Sequence, residues 1–151
     1  MNVTEIQHFP DAVVPELLNL LIVDDQASIR TIVRRLLNQI GIYSVKEAVD
    51  GIDALRLMGA HKFDAVICDR DIAIMDGIEF FQRMKTFPLH NQKPFIMLSS
   101  DVSERAITEA RRAGIKLFLK KPCSSNTLKN TLEKALGSFT DPYEISLSLS
   151  A

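Results

Sequence analysis

Leu20-Leu21-Ile22-Val23-Asp24-Asp25 is the stretch that decides the fold, because four consecutive apolar residues run directly into two acids. A short, wholly apolar run is typical of a strand that is buried on both faces of a parallel sheet. After it, apolar residues recur at helical spacing, and Gly41 stands where such a helix would end. That stripe consists of Ile29, Ile32, Val33, Leu36, Leu37 and Ile40. The sequence therefore predicts a βα unit that begins at Leu20.

The same alternation of strand and helix patterns repeats four more times. Further strands are predicted at 43–48, 65–68, 95–98 and 117–119, and further helices at 52–59, 77–85, 101–113 and 125–136. The partly polar strand 43–48 is expected at an edge. Asp101 and Glu104 have the spacing of a capping box, which favours a helix start at that point. Five βα units in succession predict an α/β fold, a doubly wound parallel sheet with helices on both faces.

Composition excludes several classes of protein. Lys and Arg total 18 against 19 Asp and Glu, which gives a net charge of −1 and argues against nucleic-acid binding through bulk charge. The two cysteines, Cys68 and Cys123, form no metal-binding or disulfide pattern. The apolar stretch 17–23 is too short to span a bilayer, and Met1 to Pro10 does not resemble a signal peptide, so we expect no membrane partner and a cytoplasmic location.

The chain divides into three predicted parts. Residues 1–18 form an N-terminal extension in which Pro10 and Pro15 suggest an extra turn or short helix, and residues 19–137 form the α/β domain. Residues 138–151 form a C-terminal tail whose alternating segment 145–150 is compatible with either disorder or a strand. Since only these 14 residues follow Gly137, we expect no DNA-binding module. A strand in the tail would allow a weak homodimer by strand addition, and otherwise we expect a monomer.

Polar side chains follow four of the predicted strands. Asp24 and Asp25 follow the first, Asp69 and Asp71 the third, Ser99 the fourth and Lys121 the fifth. Each alone has an ordinary explanation as a helix cap, turn residue or solvated side chain. Because ligands of open parallel sheets bind outside the carboxyl ends of the strands, we expect these groups to converge at one edge.

The combination of these groups indicates phosphoryl chemistry. Clustered carboxylates need a cation among them, and their oxygens suit a hard ion such as Mg²⁺ (or Mn²⁺). A lysine and a hydroxyl would stabilise the oxygens of a transferring phosphoryl group. One carboxylate remains as a nucleophile, since carboxylates form aspartyl phosphates.

The sequence resembles the receiver domains of bacterial two-component response regulators, over about Leu20 to Gly137. The matching motifs are Val23-Asp24-Asp25, Glu47-Ala48-Val49-Asp50-Gly51, Asp69 with Met75-Asp76-Gly77, Leu98-Ser99-Ser100 and Lys121-Pro122. The resemblance implies the flavodoxin-like, CheY-like (βα)5 fold with strand order 2-1-3-4-5. It also implies a stand-alone regulator that a histidine kinase or a histidine phosphotransfer protein phosphorylates, and that then controls an unknown protein target and slowly dephosphorylates itself.

The resemblance assigns roles to individual residues. Asp69 would be the phosphoacceptor, and Asp24, Asp25, Asp69 and the main-chain carbonyl of Asp71 would hold the metal. Ser99 and Lys121 would contact the phosphoryl group, and the peptide bond before Pro122 is commonly cis in the family. Ser99 and Phe118 would form the conformational switch. The kinase would dock near Gln26, Ala27 and Arg30.

Two departures from the family pattern bear on the lifetime of the phosphoryl group. Ile72-Ala73 replaces the usual Met-Pro, which removes a restraint on the loop after Asp69. Asp71 and Asp101 add acids at positions where the family tunes the access of water to the acyl phosphate. We therefore hypothesise that Asp71 and Asp101 set the rate of dephosphorylation.

Two alternatives remain open at this point. Asp69-Arg70-Asp71-Ile72 nearly fits the first motif of haloacid-dehalogenase-type phosphatases, but the acidic pair of that family comes last in the chain, whereas Asp24-Asp25 comes first. The other alternative is a pseudo-receiver that serves as a docking module without phosphorylation. Among the remaining residues, we expect His8, His61, His90, Arg34, Arg35 and Arg70 to face solvent, and Cys68 to lie in the core.

Overall fold

The structure is a computed structural model, and it describes residues 12–140. One parallel sheet of five strands forms its centre, with the spatial order β2-β1-β3-β4-β5, as the family resemblance implied. The strands are β1 (Asn19–Val23), β2 (Ser44–Ala48), β3 (Ala65–Asp69), β4 (Phe95–Ser99) and β5 (Leu117–Lys120). The partly polar β2 lies at an edge, as its sequence predicts, and β1, β3 and β4 occupy the centre.

One helix follows each strand. The helices are α1 (Ala27–Gln39), α2 (Gly51–Ala60), α3 (Gly77–Met84), α4 (Glu104–Arg112) and α5 (Ser125–Leu136). A short 3-10 helix, Pro15–Leu17, precedes β1 at the place where an extra turn or short helix is expected. Side-chain oxygens cap several helix starts: Asp50 accepts a hydrogen bond from the Asp53 amide at 2.7 Å, and Asp76 accepts one from the Glu79 amide at 2.8 Å.

The sheet is buried on both faces because its central strands are apolar except at one end of each, where Asn19, Asp69 and Ser99 stand in β1, β3 and β4. Alternate side chains of a strand point to opposite faces, so the strands supply two separate cores. One core lies under α2, α3 and α4 and includes Leu21, Val23, Val66, Cys68 and Met97. The other lies under α1 and α5 and includes Leu20, Ile22, Ala65, Ile67 and Ile96. The expectation that Cys68 is a core residue is confirmed.

Two predicted details of the helices are wrong. Ile32 was expected in the buried stripe of α1 but is 51% exposed, because Val33 and Leu37 face the sheet and Ile32 lies about 100° around the helix from Val33. The capping box of Asp101 and Glu104 does not form. Ser103 is the cap of α4, and its hydroxyl accepts a hydrogen bond from the Ala106 amide at 3.2 Å.

The expectation that His90 faces solvent is also wrong. Its side chain is fully buried, and its Nε2 accepts a hydrogen bond from the Phe63 amide at 3.1 Å. The ring of Phe63 lies against it, with the ring centroids 5.8 Å apart. Of the other histidines, His61 is exposed as expected, and His8 lies outside the described residues.

The segments that flank the sheet domain meet each other. Val13 and Phe139 form an isolated parallel bridge, in which the Val13 amide donates to the Ser138 carbonyl at 2.9 Å and the Thr140 amide donates to the Val13 carbonyl at 2.8 Å. Val13 and Phe139 also pack against the core under α1 and α5. The predicted strand pattern at 145–150 lies outside the described residues. Within residues 12–140, no helix combines the length and the apolar character needed to cross a membrane.

Candidate functional site

Three carboxylates meet at the carboxyl ends of β1 and β3. Val23 of β1 pairs with Cys68 of β3, so Asp24 and Asp69, which come next in each strand's direction, lie side by side. Asp24, Asp25 and Asp69 each offer one carboxylate oxygen, and the three oxygens lie within 4.8 Å of one another. Asp24 and Asp69 are buried, at 1% and 7% exposure, whereas Asp25 is exposed.

Lys121 joins this cluster from the end of β5. Its Nζ lies 3.1 Å from Oδ2 of Asp69 and 3.3 Å from Oδ2 of Asp24. The Lys121 amide donates to the Ser99 carbonyl at 2.9 Å, which ties the residue to the end of β4. The Lys121–Pro122 peptide bond is cis, as the family resemblance implied. The sheet therefore brings together four of the residues expected at one edge, namely Asp24, Asp25, Asp69 and Lys121.

Burial and charge shift the titration of the paired groups. Burial raises the pKa of Asp69, an effect that the Lys121 ammonium opposes and the Asp24 carboxylate reinforces. Burial alone would lower the pKa of Lys121, but the Asp69 and Asp24 carboxylates outweigh it and raise that pKa above its ordinary value. Lys121 is therefore held in its charged form, and it offsets the repulsion between the buried acids.

Ser99 lies at the same edge but is engaged with a loop. It ends β4, one residue beyond Leu98, the residue of β4 that pairs with Asp69. The Ser99 hydroxyl accepts a hydrogen bond from the Asp101 amide at 3.1 Å and donates to the Asp101 carbonyl at 3.2 Å. The side chain is 6% exposed. Both hydrogen bonds of the Ser99 hydroxyl are therefore made to the loop before α4.

The two additional acids are exposed at the mouth of the site. The Asp71 amide donates to Oδ1 of Asp69 at 3.3 Å, so the backbone of Asp71 lies beside the cluster while its side chain is exposed. The Asp101 carboxylate accepts a hydrogen bond from the Ser103 amide at 3.0 Å, and this bond lowers the pKa of Asp101.

Phe118 is half-buried on β5. It packs against the core under α2, α3 and α4, and the guanidinium carbon of Arg111 lies 5.8 Å from the centroid of its ring. Its strand neighbour is Met97 of β4, two residues before Ser99. Phe118 therefore occupies an intermediate position between the core and solvent, next to the strand that carries Ser99.

The expectation that Arg70 faces water is wrong. This residue directly follows Asp69, and its guanidinium donates to the Ala106 carbonyl at 3.0 Å and to the Glu109 carboxylate at 2.9 Å. Only 16% of the Arg70 side chain is exposed. The connection between the end of β3 and helix α4 could not be read from the sequence, because its partners lie far away along the chain.

Arginines of α1 support the site in a way that sequence reasoning missed. Arg30 donates to the backbone carbonyl of Asp24 at 2.7 Å and forms an ion pair with Glu47 at 3.0 Å. Arg34, which was expected to be solvated, pairs with the same Glu47 at 2.8 Å. Glu47 is the first residue of a matched motif. Its position on β2, beside β1 and α1, is the feature that would have predicted these ion pairs.

The donor set fits a hard divalent cation. Three carboxylates with oxygens in mutual reach supply oxygen-only ligands, as Mg²⁺ and Mn²⁺ prefer, and the exposed Asp25 leaves one side of the cluster open to solvent and substrate oxygens. Repulsion among these acids is only partly offset by Lys121, so a bound cation would stabilise the cluster further.

Known proteins resemble this chain in sequence and in fold. The family model of the response regulator receiver domain matches residues 20–133. The chemotaxis protein CheY-3 of Vibrio cholerae serotype O1 is 32% identical over 124 residues, which cover 82% of this chain and 95% of that protein. The chemotaxis protein CheY of Pseudomonas aeruginosa is 30% identical over 117 residues, 78% of this chain and 94% of its own length.

A solved structure agrees with the sequence comparisons. The chemotaxis response regulator CheY4 of Vibrio cholerae superposes with a TM-score of 0.73 at 33% identity, over 79% of this chain and 98% of that one. The region that the family model matches, residues 20–133, contains β2 to β5, all of β1 except Asn19, and the acidic cluster with Lys121. On the family match, the relatives and the shared fold, this chain belongs to the CheY-like receiver domains of two-component response regulators.

Proposed function

We propose that this receiver domain accepts a phosphoryl group on Asp69, in a reaction that requires Mg²⁺ (or Mn²⁺), from a histidine kinase or a histidine phosphotransfer protein. The observation that carries the proposal is the contact of a buried Asp69 with Lys121 at 3.1 Å, within a cluster of three carboxylates. The Lys121 ammonium favours the ionised form of Asp69, which is the form that attacks phosphorus, and burial shields this carboxylate from bulk water.

The proposed transfer is a displacement at phosphorus. A carboxylate oxygen of Asp69 bonds to the phosphorus atom while the bond from phosphorus to the donor's imidazole nitrogen breaks, and the electron pair leaves with the imidazole. Asp24, Asp25, Asp69 and the Asp71 carbonyl would hold the cation, which when bound would supply positive charge for the phosphoryl oxygens. Lys121 adds a second positive charge at Asp69, so the residues of the chain contribute chiefly by position and electrostatics.

Phosphorylation would change the partners of Ser99 and Arg70. New phosphoryl oxygens at Asp69 compete for the Ser99 hydroxyl, whose present bonds to Asp101 are long, at 3.1 and 3.2 Å. The new charge also lies one residue from Arg70, which holds α4 through Ala106 and Glu109. Both effects act on the loop before α4 and on the half-buried Phe118, which makes these elements a two-state switch that could present a changed face to a protein target.

Asp71 and Asp101 are proposed to set the lifetime of the acyl phosphate. Both side chains are exposed at the mouth of the site, where a water molecule must pass to reach the phosphorus atom. Exchanging Asp71 for Asn and Asp101 for Ala should change the rate of autodephosphorylation. An unchanged rate in the double variant would refute this role.

The proposed phosphodonor contacts the start of α1. Gln26 and Ala27 are exposed beside the acidic cluster, whereas Arg30 is largely occupied by Asp24 and Glu47. We therefore propose that the phosphodonor contacts Gln26 and Ala27, and that Arg30 holds the backbone of Asp24. We also propose that the protein is located in the cytoplasm, where such phosphodonors act, and that it controls a protein target.

Incubation with acetyl phosphate and Mg²⁺ tests the proposal. Intact-mass measurement should show the addition of one phosphoryl group to the wild type, none to Asp69→Asn, and none when Mg²⁺ is replaced by a chelator. Asp71→Asn is the matched control, since it removes a neighbouring carboxylate and should still be modified. Failure of the wild type to react would favour the pseudo-receiver alternative, and release of free phosphate from varied phosphate esters would favour the phosphatase alternative.

A further inference from the structure

The end of the sheet opposite the acidic cluster carries a second pocket, and its charge has the opposite sign. This pocket has a volume of about 360 Å³ and lies at the starts of β4 and β5, between the ends of α3 and α5. Four lysines line it, namely Lys85, Lys93, Lys116 and Lys134. None of the lining residues identified in the described part of the chain is acidic, although the protein has a net charge of −1.

The four ammonium groups have no carboxylate partners within residues 12–140. No ion pair at 4.0 Å or less joins any of them to a described Asp or Glu. Lys85 and Lys134 stand near the ends of α3 and α5, where the helix dipole favours a cation. That explanation does not extend to Lys93 and Lys116, which lie in loops before β4 and β5. Four like charges around one hollow repel each other unless an anion joins them.

Local structure holds one of these charges in position. Nζ of Lys85 lies 4.6 Å from the centroid of the Phe81 ring, at the distance of a cation–π contact. Gly114 makes room for this arrangement: it has φ +105°, and a Cβ atom there would lie 3.3 Å from Nζ of Lys85 and 3.3 Å from Cε2 of Phe81. Packing against Phe81 therefore holds the Lys85 ammonium group at the pocket, although the lysine side chain itself is flexible.

The rest of the lining is suited to an organic group. Pro94, Leu117 and Ala135 are half-buried and give the pocket apolar walls, and Asn91 and Gln92 bring side-chain amides that donate and accept hydrogen bonds. Pockets for small molecules have volumes of roughly 300–1,000 Å³ and combine apolar walls with a few polar groups, so this one has the size for a compact ligand.

We propose that this pocket binds a small organic polyphosphate of the nucleoside diphosphate type. The lysines would bind the phosphates as point charges, the apolar walls would contact the planar base, and the amides of Asn91 and Gln92 would meet its polar edge. The pocket is separate from the acidic cluster, which lies at the other end of the strands, and binding there does not depend on phosphorylation of Asp69.

Titration calorimetry with ADP tests the proposal, in low-salt buffer that contains a chelator so that no metal links the nucleotide to the acidic cluster. The variant Lys116→Gln/Lys134→Gln should weaken binding by about tenfold or more, since it removes two of the four charges. The control Lys46→Gln/Lys62→Gln removes two lysines at the same end of the sheet but outside the pocket, and it should change the affinity by less than about twofold. Adenosine should not bind.

A second measurement locates the ligand. Backbone amide resonances of Lys93, Gly114 and Leu117 should shift when ADP is added, and that of Asp69 should not. The proposal is overturned if ADP does not bind the wild type, if both double variants lose affinity equally, if pyrophosphate binds as tightly as ADP, or if the shifts centre on Asp69.

Discussion

Nζ of Lys121 lies 3.1 Å from Oδ2 of Asp69, and this contact joins the end of β5 to the end of β3 across β4. The pair is partly protected from solvent, with 9% of the Asp69 side chain and 21% of the Lys121 side chain exposed. Because Lys121 also reaches Asp24 at 3.3 Å, one cation serves two buried acids. The position of Lys121 between Asp69 and Asp24 explains how the two buried carboxylates lie close together despite their mutual repulsion.

Removal of the Lys121 charge should therefore impair phosphorylation. We expect Lys121→Gln to lower the initial rate of phosphorylation by acetyl phosphate by about tenfold or more, because a charge-assisted contact at the reacting carboxylate is lost. Lys120→Gln is the control, since Lys120 is the exposed last residue of β5 and directly precedes Lys121. Equal rates in the wild type and Lys121→Gln would show that the contact has no role in the reaction.

Gly77 stands where the chain passes close behind Asp69. A Cβ atom at this position would lie 2.8 Å from the Asp69 carbonyl oxygen and 3.1 Å from Cα of Arg70, both of which are backbone atoms. We expect Gly77→Ala to destabilise the protein by about 1–3 kcal/mol through overpacking and to slow phosphorylation by displacing Asp69.

The matched control for that change is Gly59→Ala. Gly59 lies within α2, and nothing stands within 4 Å of a Cβ atom placed there. Replacing it should stabilise the protein by about 0.5–1 kcal/mol, the gain expected for alanine in a helix. Chemical denaturation measures both variants, and a destabilisation of the same size in each would contradict the steric explanation.

Arg70 should stabilise α4 in its present position. Its bond to the Ala106 carbonyl contributes about 1 kcal/mol. Its pair with Glu109 adds about 1 kcal/mol at most, because 61% of the Glu109 side chain is exposed. Arg70→Gln should therefore accelerate amide hydrogen exchange in α4, whereas Arg112→Gln, at an exposed position of the same helix, should not. Identical exchange in both variants would remove Arg70 from the proposed switch.

His90 should make stability depend on pH. Burial, together with the charges of Lys93 and Lys62, lowers the pKa of His90 in the folded protein. As the pH falls through the ordinary range of an imidazole near 6.5, the unfolded chain binds a proton that the folded protein does not, so the free energy of unfolding decreases. One such group can contribute a slope of at most about 1.4 kcal/mol per pH unit.

Urea titrations between about pH 7.5 and 5.5 measure this dependence. His90→Gln should reduce the slope relative to the wild type, and His61→Gln, which alters an exposed histidine, should leave it unchanged. A slope that persists in His90→Gln would assign the effect to other groups.

The sequence pattern sufficed to predict the strands and helices and their order along the chain, and the family resemblance implied the order of strands in the sheet, but neither predicted the contacts made by long side chains. Periodicity placed α5 at 125–136, which the structure confirms, because apolar residues at helical spacing must face the sheet. The predictions for β3, β4 and β5 stop one residue too early. The last residues of these strands, Asp69, Ser99 and Lys120, are polar but still pair in register with neighbouring strands.

Three of the wrong predictions share a physical cause. Arg70, Arg34 and His90 carry polar groups that the sequence alone assigns to solvent, yet each finds its partner on a distant segment: Glu109, Glu47 and Phe63. Such pairings depend on how the helices pack on the sheet, which local patterns do not encode. The acidic cluster was easier to predict, because the carboxyl ends of parallel strands always share an edge.

The location of the acyl phosphate tests the central claim most directly. After treatment with acetyl phosphate and Mg²⁺, reduction with borohydride converts an aspartyl phosphate to homoserine, and tandem mass spectrometry of peptides identifies the converted residue. We predict homoserine at position 69 and at no other aspartate. Conversion at Asp24, Asp25 or Asp71 instead, or no conversion at all, would contradict the account.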